Sequence, residues 1–326
     1  MSDKLVQIKN LKTYFYTEAG TVKAVNDVSF DILKGEVLGI VGESGSGKSV
    51  TSLSINRLIP NPPGEIVSGK IIYNNQNLLD LSYDDMRNIR GKDIAMIFQE
   101  PMTSLNPVLK IGAQMNEVLI KHENLSIEEA TEKSIEMLAA VGIPEPEKRI
   151  NEYPHQFSGG MRQRVMIAMA LQCNPNLLIA DEPTTALDVT IQAQILDLMI
   201  DLKDKRKEAA ILLITHDLAV VAETCDRVIV MYGGVIQEIA PVDELFKNPL
   251  HPYTKALMKS IPHLDTKAER LYALRGMVPS FIDMPTGCKF CTRCDFVEDK
   301  CKGAEPELIE MNDGHFVRCK PEIINE

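Results

Sequence analysis

The sequence contains no tryptophan, and aromatic residues of all kinds fill only 5% of its 326 positions. It also lacks any apolar run near the ~20 residues needed to cross a bilayer. Its most apolar stretches, Ala209 to Thr215 and Val228 to Met231, are far shorter. The opening residues Met1-Ser2-Asp3-Lys4 hold no long apolar region of the kind that leads a secreted chain, so a cytoplasmic protein is expected. Basic residues are in the minority. The 35 Lys and Arg against 46 Asp and Glu leave a formal net charge of -11. That balance excludes the basic footprint of a nucleic-acid surface, so no nucleic-acid partner is expected. It also gains nothing from anionic lipid, so any membrane association runs through a protein partner. Repeats and low-complexity runs are absent. What remains is ordinary: 44% hydrophobic and 25% charged residues, enough for one large or two modest domains.

The most informative stretch is Leu38 to Ser49. A short apolar run, read as a buried strand, enters Gly42-x-x-x-x-Gly47-Lys48-Ser49, and the Gly- and Pro-free segment from Val50 to Leu58 reads as a helix. Strand, glycine-rich loop and helix form the context in which this motif binds phosphate. Glycines let backbone amides turn inward as a nest, and the helix N-terminus adds partial positive charge. Gly42, Ser44, Gly45, Ser46, Gly47 and Val50 would line that nest. Lys48 can reach the β- and γ-phosphates, and the Ser49 hydroxyl can ligate Mg²⁺. The chain is expected to bind ATP.

Around this loop, apolar runs alternate with helical periodicity. Runs at 94–98, 176–180 and 210–214 read as strands ending in Gln99, in Asp181-Glu182 and just before His216. Alternation of this kind implies a parallel, layered sheet. Four apolar residues followed by two acids place Asp181 where it can hold Mg²⁺ through water. Glu182 is then placed to polarise a water for attack on the γ-phosphate. His216 can sense that phosphate, and Gln99 can reach the metal or the water. From Met102 to about residue 172 the character turns helical, with periodic segments at 111–122 and 127–141 and a capping-box pair, Ser126 and Glu129. This block reads as an inserted subdomain. It closes at Phe157-Ser158-Gly159-Gly160, which leads into a helix expected at 165–172. Ser158 to Gly160 precede a helix and can meet phosphate there. Near the N-terminus Tyr14, Phe15 and Tyr16 are equally able to stack on a base or to pack a strand.

Past Pro249 a helix is expected at 252–260 and another at 264–274. The tail from Gly276 has too little apolar periodicity for a conventional core. Five of the seven cysteines lie in it, at 288, 291, 294, 301 and 319, and in a reducing compartment such a cluster suits metal better than disulfides. Four thiolates can ligate an iron–sulfur cluster or tetrahedral zinc. Cys173 and Cys225 are expected in helices as buried filler.

The ordered set Gly42 to Ser49, Gln99, Ser158-Gly159-Gly160, Asp181-Glu182, Ala186-Leu187-Asp188 and His216 resembles the ATP-binding cassette of ABC transporters over about residues 5–250. The resemblance implies an α/β fold of the ABC-type P-loop NTPase class. Its parts would be a parallel-sheet core, an antiparallel β part and an inserted helical subdomain, in a cassette spanning 1–250. It also implies ATP sandwiched between this loop and the Ser158 to Gly160 segment of a second subunit, Phe15 stacking on adenine with Tyr14 or Tyr16 as alternatives, and Asp188 at the dimer seam. Gln99 to Pro107 and Asn248 to Thr254 look like the peptide and nickel importers, in particular the D-type ATPase subunit of dipeptide and oligopeptide importers. That branch implies a second, different ATPase subunit or a homodimer, two permeases, and an extracytoplasmic peptide-binding protein. The chain would then lie at the cytoplasmic membrane face. Met102, Leu105, Val108, Leu109 and Ile111 would offer apolar surface to a permease, with about half of them serving the internal core. Residues 251–326 resemble the branch's cysteine-bearing extension, which implies a [4Fe–4S] cluster on Cys288, Cys294, Cys301 and Cys319. Cys291 is a substitute ligand and zinc the alternative metal. Nickel import within the branch, and a soluble ABC ATPase outside transport, are the other readings.

Overall fold

The computed structural model describes residues 3–99, 105–183, 189–260 and 274–319. Twelve strands are described: β1 (Lys4–Thr17), β2 (Gly20–Leu33), β3 (Val37–Val41), β4 (Gly64–Tyr73), β5 (Gln76–Asn77), β6 (Ile94–Ile97), β7 (Leu177–Asp181), β8 (Ala210–Ile214), β9 (Arg227–Tyr232), β10 (Val235–Pro241), β11 (Ile309–Asn312) and β12 (His315–Val317). The chain divides into two compact units. One comprises residues 6–32, 37–79 and 214–326, and the other residues 1–5, 33–36 and 80–213.

In the first unit, β2-β1-β4-β5 form one sheet. β1 runs antiparallel to β4, pairing Val6 with Tyr73 and Phe15 with Gly64, and a bulge between Lys9 and Thr13 shifts the register. Thr13 is buried, and its hydroxyl shares a 2.8 Å hydrogen bond with Ser54 of the helix Lys48–Ile55. A second group of strands lies in the order β11-β12-β10-β9-β3. β3 pairs parallel with β9, and β9 pairs antiparallel with β10. Every residue of β3 is buried, which is why Val-Leu-Gly-Ile-Val is apolar without alternation. The Gly233-Gly234 turn between β9 and β10 follows from positive φ at both glycines.

In the second unit, β8, β7 and β6 are neighbours in that order, with β6 and β7 parallel. Helices Ile111–Glu123 and Ile127–Ala140 follow β6. The Ser126–Glu129 capping box is present in both directions, so that helix starts where its sequence says it should.

Four expectations need correction. The helix after the phosphate loop ends at Ile55, before Leu58, because Asn56 caps it and Arg57 takes positive φ. The helix expected at 165–172 starts six residues earlier, at Gly159. Ser158 accepts the Met161 N–H as its N-cap, which outweighs the helix-weakening effect of two glycines. The tail also has a core. β12 pairs with β10, Glu238 opposite Val317, and Phe290, His315 and Val317 are buried. Strand addition to an existing sheet needs little periodicity of its own, so the pattern was faint. Cys173 and Cys225 are buried as expected but lie just past helix ends. The helix expected at 264–274 falls almost wholly outside the described residues.

Candidate functional site

The phosphate loop leaves β3 at Val41 and enters the helix Lys48–Ile55. Two glycines are sterically required. A Cβ at Gly42, where φ is +151°, would stand 2.2 Å from Met231 O, and one at Gly47, where φ is +104°, 2.4 Å from Ala24 O. Ser46 N–H donates to Glu43 O at 3.1 Å, and Gly234 N–H donates to Ser46 O at 3.0 Å, so the β9–β10 turn braces the loop. Ser44 and Gly45 face outward, while Ser49 and Val50 are half-buried. The helix has Gly47 as N-cap and no side-chain cap, and its N-terminal partial positive charge faces the loop. Lys48 is 5% exposed, and its Nζ donates to Gly42 O at 2.7 Å and Glu43 O at 3.0 Å. Ser46 Oγ is buried without a hydrogen-bond partner in the structure. Curled amides, a buried ammonium and an uncapped helix start together suit a polyphosphate.

In the same unit Phe15 lies half-buried against Gly64, where a Cβ would meet its ring at 2.8 Å. Tyr14 donates its hydroxyl to Asn26 Oδ1 at 2.7 Å with Lys23 over its ring, and Tyr16 is half exposed. His216 is exposed in the turn after β8, next to Asp217, which caps the helix Leu218–Thr224.

In the other unit, Gln99 Nε2 donates to Glu182 Oε2 at 3.1 Å, so two residues 83 positions apart meet. Asp181 is buried at the end of β7. Glu182 takes φ +47°, a conformation that costs a non-glycine residue on the order of 1–2 kcal/mol. Such strain at a strand end re-aims a side chain and clusters at working sites. Ser158 and Gly159 are exposed at the start of a 13-residue helix, and nothing lies within 4 Å of a Cβ built on Gly159. That helix start is open to an approaching group. Asp188 lies outside the described residues. Among the apolar docking candidates, Leu105 and Ile111 are buried, Val108 is 75% exposed and Leu109 is exposed; Met102 lies outside the described residues.

The tail cysteines do gather. Cys288, Cys291, Cys301 and Cys319 pack around Leu250 and Val317. Cys294 is close enough to Cys291 and Cys301 for their charges to interact. Burial pushes the Cys288 thiol up to about 12 and also raises those of Cys291 and Cys294. Among the described residues no group of three or more His, Cys, Asp or Glu side chains is placed to hold a metal ion.

The sequence reading missed two groups. Glu238 is fully buried and accepts from Leu250 N–H at 2.8 Å, His251 N–H at 2.9 Å and the His315 ring at 2.8 Å. Glu43, inside the phosphate loop, is bound by Tyr253 and Arg293. A carboxylate within an anion-binding loop calls for a cationic partner, and that was the available signal.

Residues 25–185 match the family model described as ABC transporter, and residues 237–301 match that of the oligopeptide/dipeptide transporter C-terminal region. The chain is 54% identical over 315 residues to the oligopeptide transport ATP-binding protein AppD of Bacillus subtilis, covering 97% of this chain and 96% of that one. It is 49% identical over 317 residues to the dipeptide transport ATP-binding protein DppD of the same organism, covering 97% and 94%. Among solved structures, the dimeric post-hydrolysis ATP-binding cassette MJ0796 bound to ADP and Pi aligns with a TM-score of 0.65 and 30% identity, covering 73% of this chain and 98% of that one. The phosphate loop, the Gln99–Glu182 pair and the open Ser158 helix start thus belong to a chain of the ABC transporter family, in its oligopeptide/dipeptide ATP-binding branch.

Proposed function

We propose that this chain is the ATP-hydrolysing subunit that powers import of di- and oligopeptides through a membrane ABC transporter. The observation that carries it is the phosphate loop, with its buried Lys48 and sterically required glycines, in a chain about half identical to peptide-transport ATP-binding proteins from end to end. No helix of the described residues is long and apolar enough to cross a membrane, so the chain would be peripheral, held at the cytoplasmic face by permeases.

Gly42 to Ser49 and Val50 would receive the phosphates, and Phe15 the adenine. Glu182 would take a proton from the attacking water, with Gln99 orienting both, and His216 would respond to the γ-phosphate. Ser49 and Gln99, with Asp181 through water, offer oxygens to Mg²⁺, which when bound offsets the charge of the phosphates. Ser158 to Gly160 stand open at a helix start, as a segment completing a second subunit's site would, and Asp188 would sit at that seam. A different ATPase subunit is the favoured partner, and a homodimer the other option. Val108 and Leu109 offer exposed apolar surface to a permease. A structural [4Fe–4S] cluster on Cys288, Cys294, Cys301 and Cys319, or zinc there, is supported by the packing of Cys288, Cys301 and Cys319 in one cluster and by four-thiolate chemistry.

The test is ATP-driven uptake of labelled peptide by proteoliposomes holding this chain, its partner ATPase, the permeases and a peptide-binding protein. Uptake that continues with Glu182→Gln in this chain and in the matching position of its partner would sink the mechanism. Uptake of nickel in place of peptide would sink the substrate.

A further inference from the structure

Glu43, inside the phosphate loop, is tied to distant residues of its unit. Its N–H donates a hydrogen bond to the Tyr253 hydroxyl oxygen at 2.9 Å. Its carbonyl accepts from Lys48 Nζ and from Ser46 N–H. Its carboxylate is gripped by both ends of the Arg293 guanidinium, at 2.5 and 3.1 Å. The Arg293 side chain is only 3% exposed. Its Nε donates to Arg275 O at 2.9 Å, and its guanidinium lies 5.8 Å from the centre of the Tyr232 ring. Tyr232, Tyr253 and Phe290 form one aromatic group beneath it, with centroids 4.8–5.3 Å apart. The extension touches the loop a second time, where Phe281 reaches 3.9 Å from the position a Cβ would take on Gly45.

This arrangement solves an electrostatic problem. A carboxylate one residue along from the amides that hold an anion would repel the polyphosphate they are built to receive. A bidentate guanidinium, held in place by Arg275 O and the Tyr232 ring, neutralises it. We propose that Arg293 is a positioning residue of the nucleotide site: by neutralising Glu43 and holding it against the C-terminal extension, it makes that extension a determinant of ATP affinity. The inference rests on the ATP reading of the Gly42 to Ser49 loop.

The experiment measures dissociation constants for Mg-ATP on the intact chain with a fluorescent nucleotide analogue in competition, and each variant's fold is checked by its melting curve. Lys48→Ala tests the loop reading itself: retained affinity would defeat that reading. If Lys48→Ala abolishes binding, Arg293→Met is expected to weaken it about tenfold, the effect of an uncompensated charge near the anion at an intermediate dielectric. Arg293→Lys is expected to keep most of the affinity. Adding Glu43→Gln to Arg293→Met is expected to recover at least a threefold gain, because the repelling charge is gone. A merely structural Arg293 predicts no such recovery. Unchanged affinity in Arg293→Met, or a double variant as weak as the single one, overturns the inference. Should Arg293→Met not fold, Arg293→Gln with and without Glu43→Gln carries the same comparison.

Discussion

Acidification should weaken the C-terminal region through His251. Its ring is 1% exposed, and burial lowers its pKa from 6.5 to about 4, with Arg318 pushing the same way and the buried Glu238 pushing upward. The direction agrees with the geometry. His251 Nδ1 accepts the Tyr253 N–H at 3.0 Å and caps the helix Pro252–Lys259, so that nitrogen must be unprotonated, and a positive charge at a helix start is unfavourable. A group whose folded pKa lies below its unfolded value contributes stability that is complete above the unfolded pKa and is lost as pH falls toward the folded one. The window therefore runs from pH 6.5 down to about 4. At 1.36 kcal/mol per unit, the loss reaches about 2 kcal/mol by pH 5 and about 3 kcal/mol at the bottom of the window. Many carboxylates titrate over the same range, so the measurement is a difference. His251→Asn keeps a capping oxygen and cannot take the proton. Urea unfolding of both proteins at pH 7.5, 6, 5 and 4.5 should show the wild-type advantage shrinking by about 2 kcal/mol between the first and third points. Hydrogen exchange of 236–260 and 288–319 should localise the loss. Parallel curves for the two proteins would refute the assignment of His251 as a buried neutral cap.

Other perturbations separate the loop, the open helix and the docking surface. Gly42→Ala forces a side chain into left-handed backbone 2.2 Å from Met231 O; equilibrium unfolding should show a loss of about 3 kcal/mol or more, and nucleotide titration should show no binding. Ser158→Ala removes the N-cap of the helix Gly159–Leu171, so stability should fall by about 1 kcal/mol. In the same variant, ATP binding by the isolated chain should persist while turnover of the assembled dimer collapses. Val108→Asp, at a site 75% exposed, should leave melting temperature and ATP affinity unmoved and reduce co-purification with the permeases.

The sequence alone determined the elements whose chemistry is local. The phosphate loop follows from one contiguous stretch, since strand, glycines, lysine and helix are adjacent in the chain. The capping box at Ser126, the all-apolar strands β3 and β8, and β7, four apolar residues ending in Asp181, follow equally from short-range pattern. Tertiary structure decided whatever joins distant residues. Gln99 meets Glu182 across 83 positions, and Arg293 meets Glu43 across 250. No periodicity encodes such pairs, because their partners are chosen by strand order. The helix start at Gly159 was also hidden, because two glycines read as loop until an N-cap serine is seen in place. The tail's core was invisible for a related reason: β12 draws its burial from β10, so its own three residues carry no pattern. The loop's composition names a phosphate site, and its surroundings in the fold add the carboxylate's partner, which no local stretch contains.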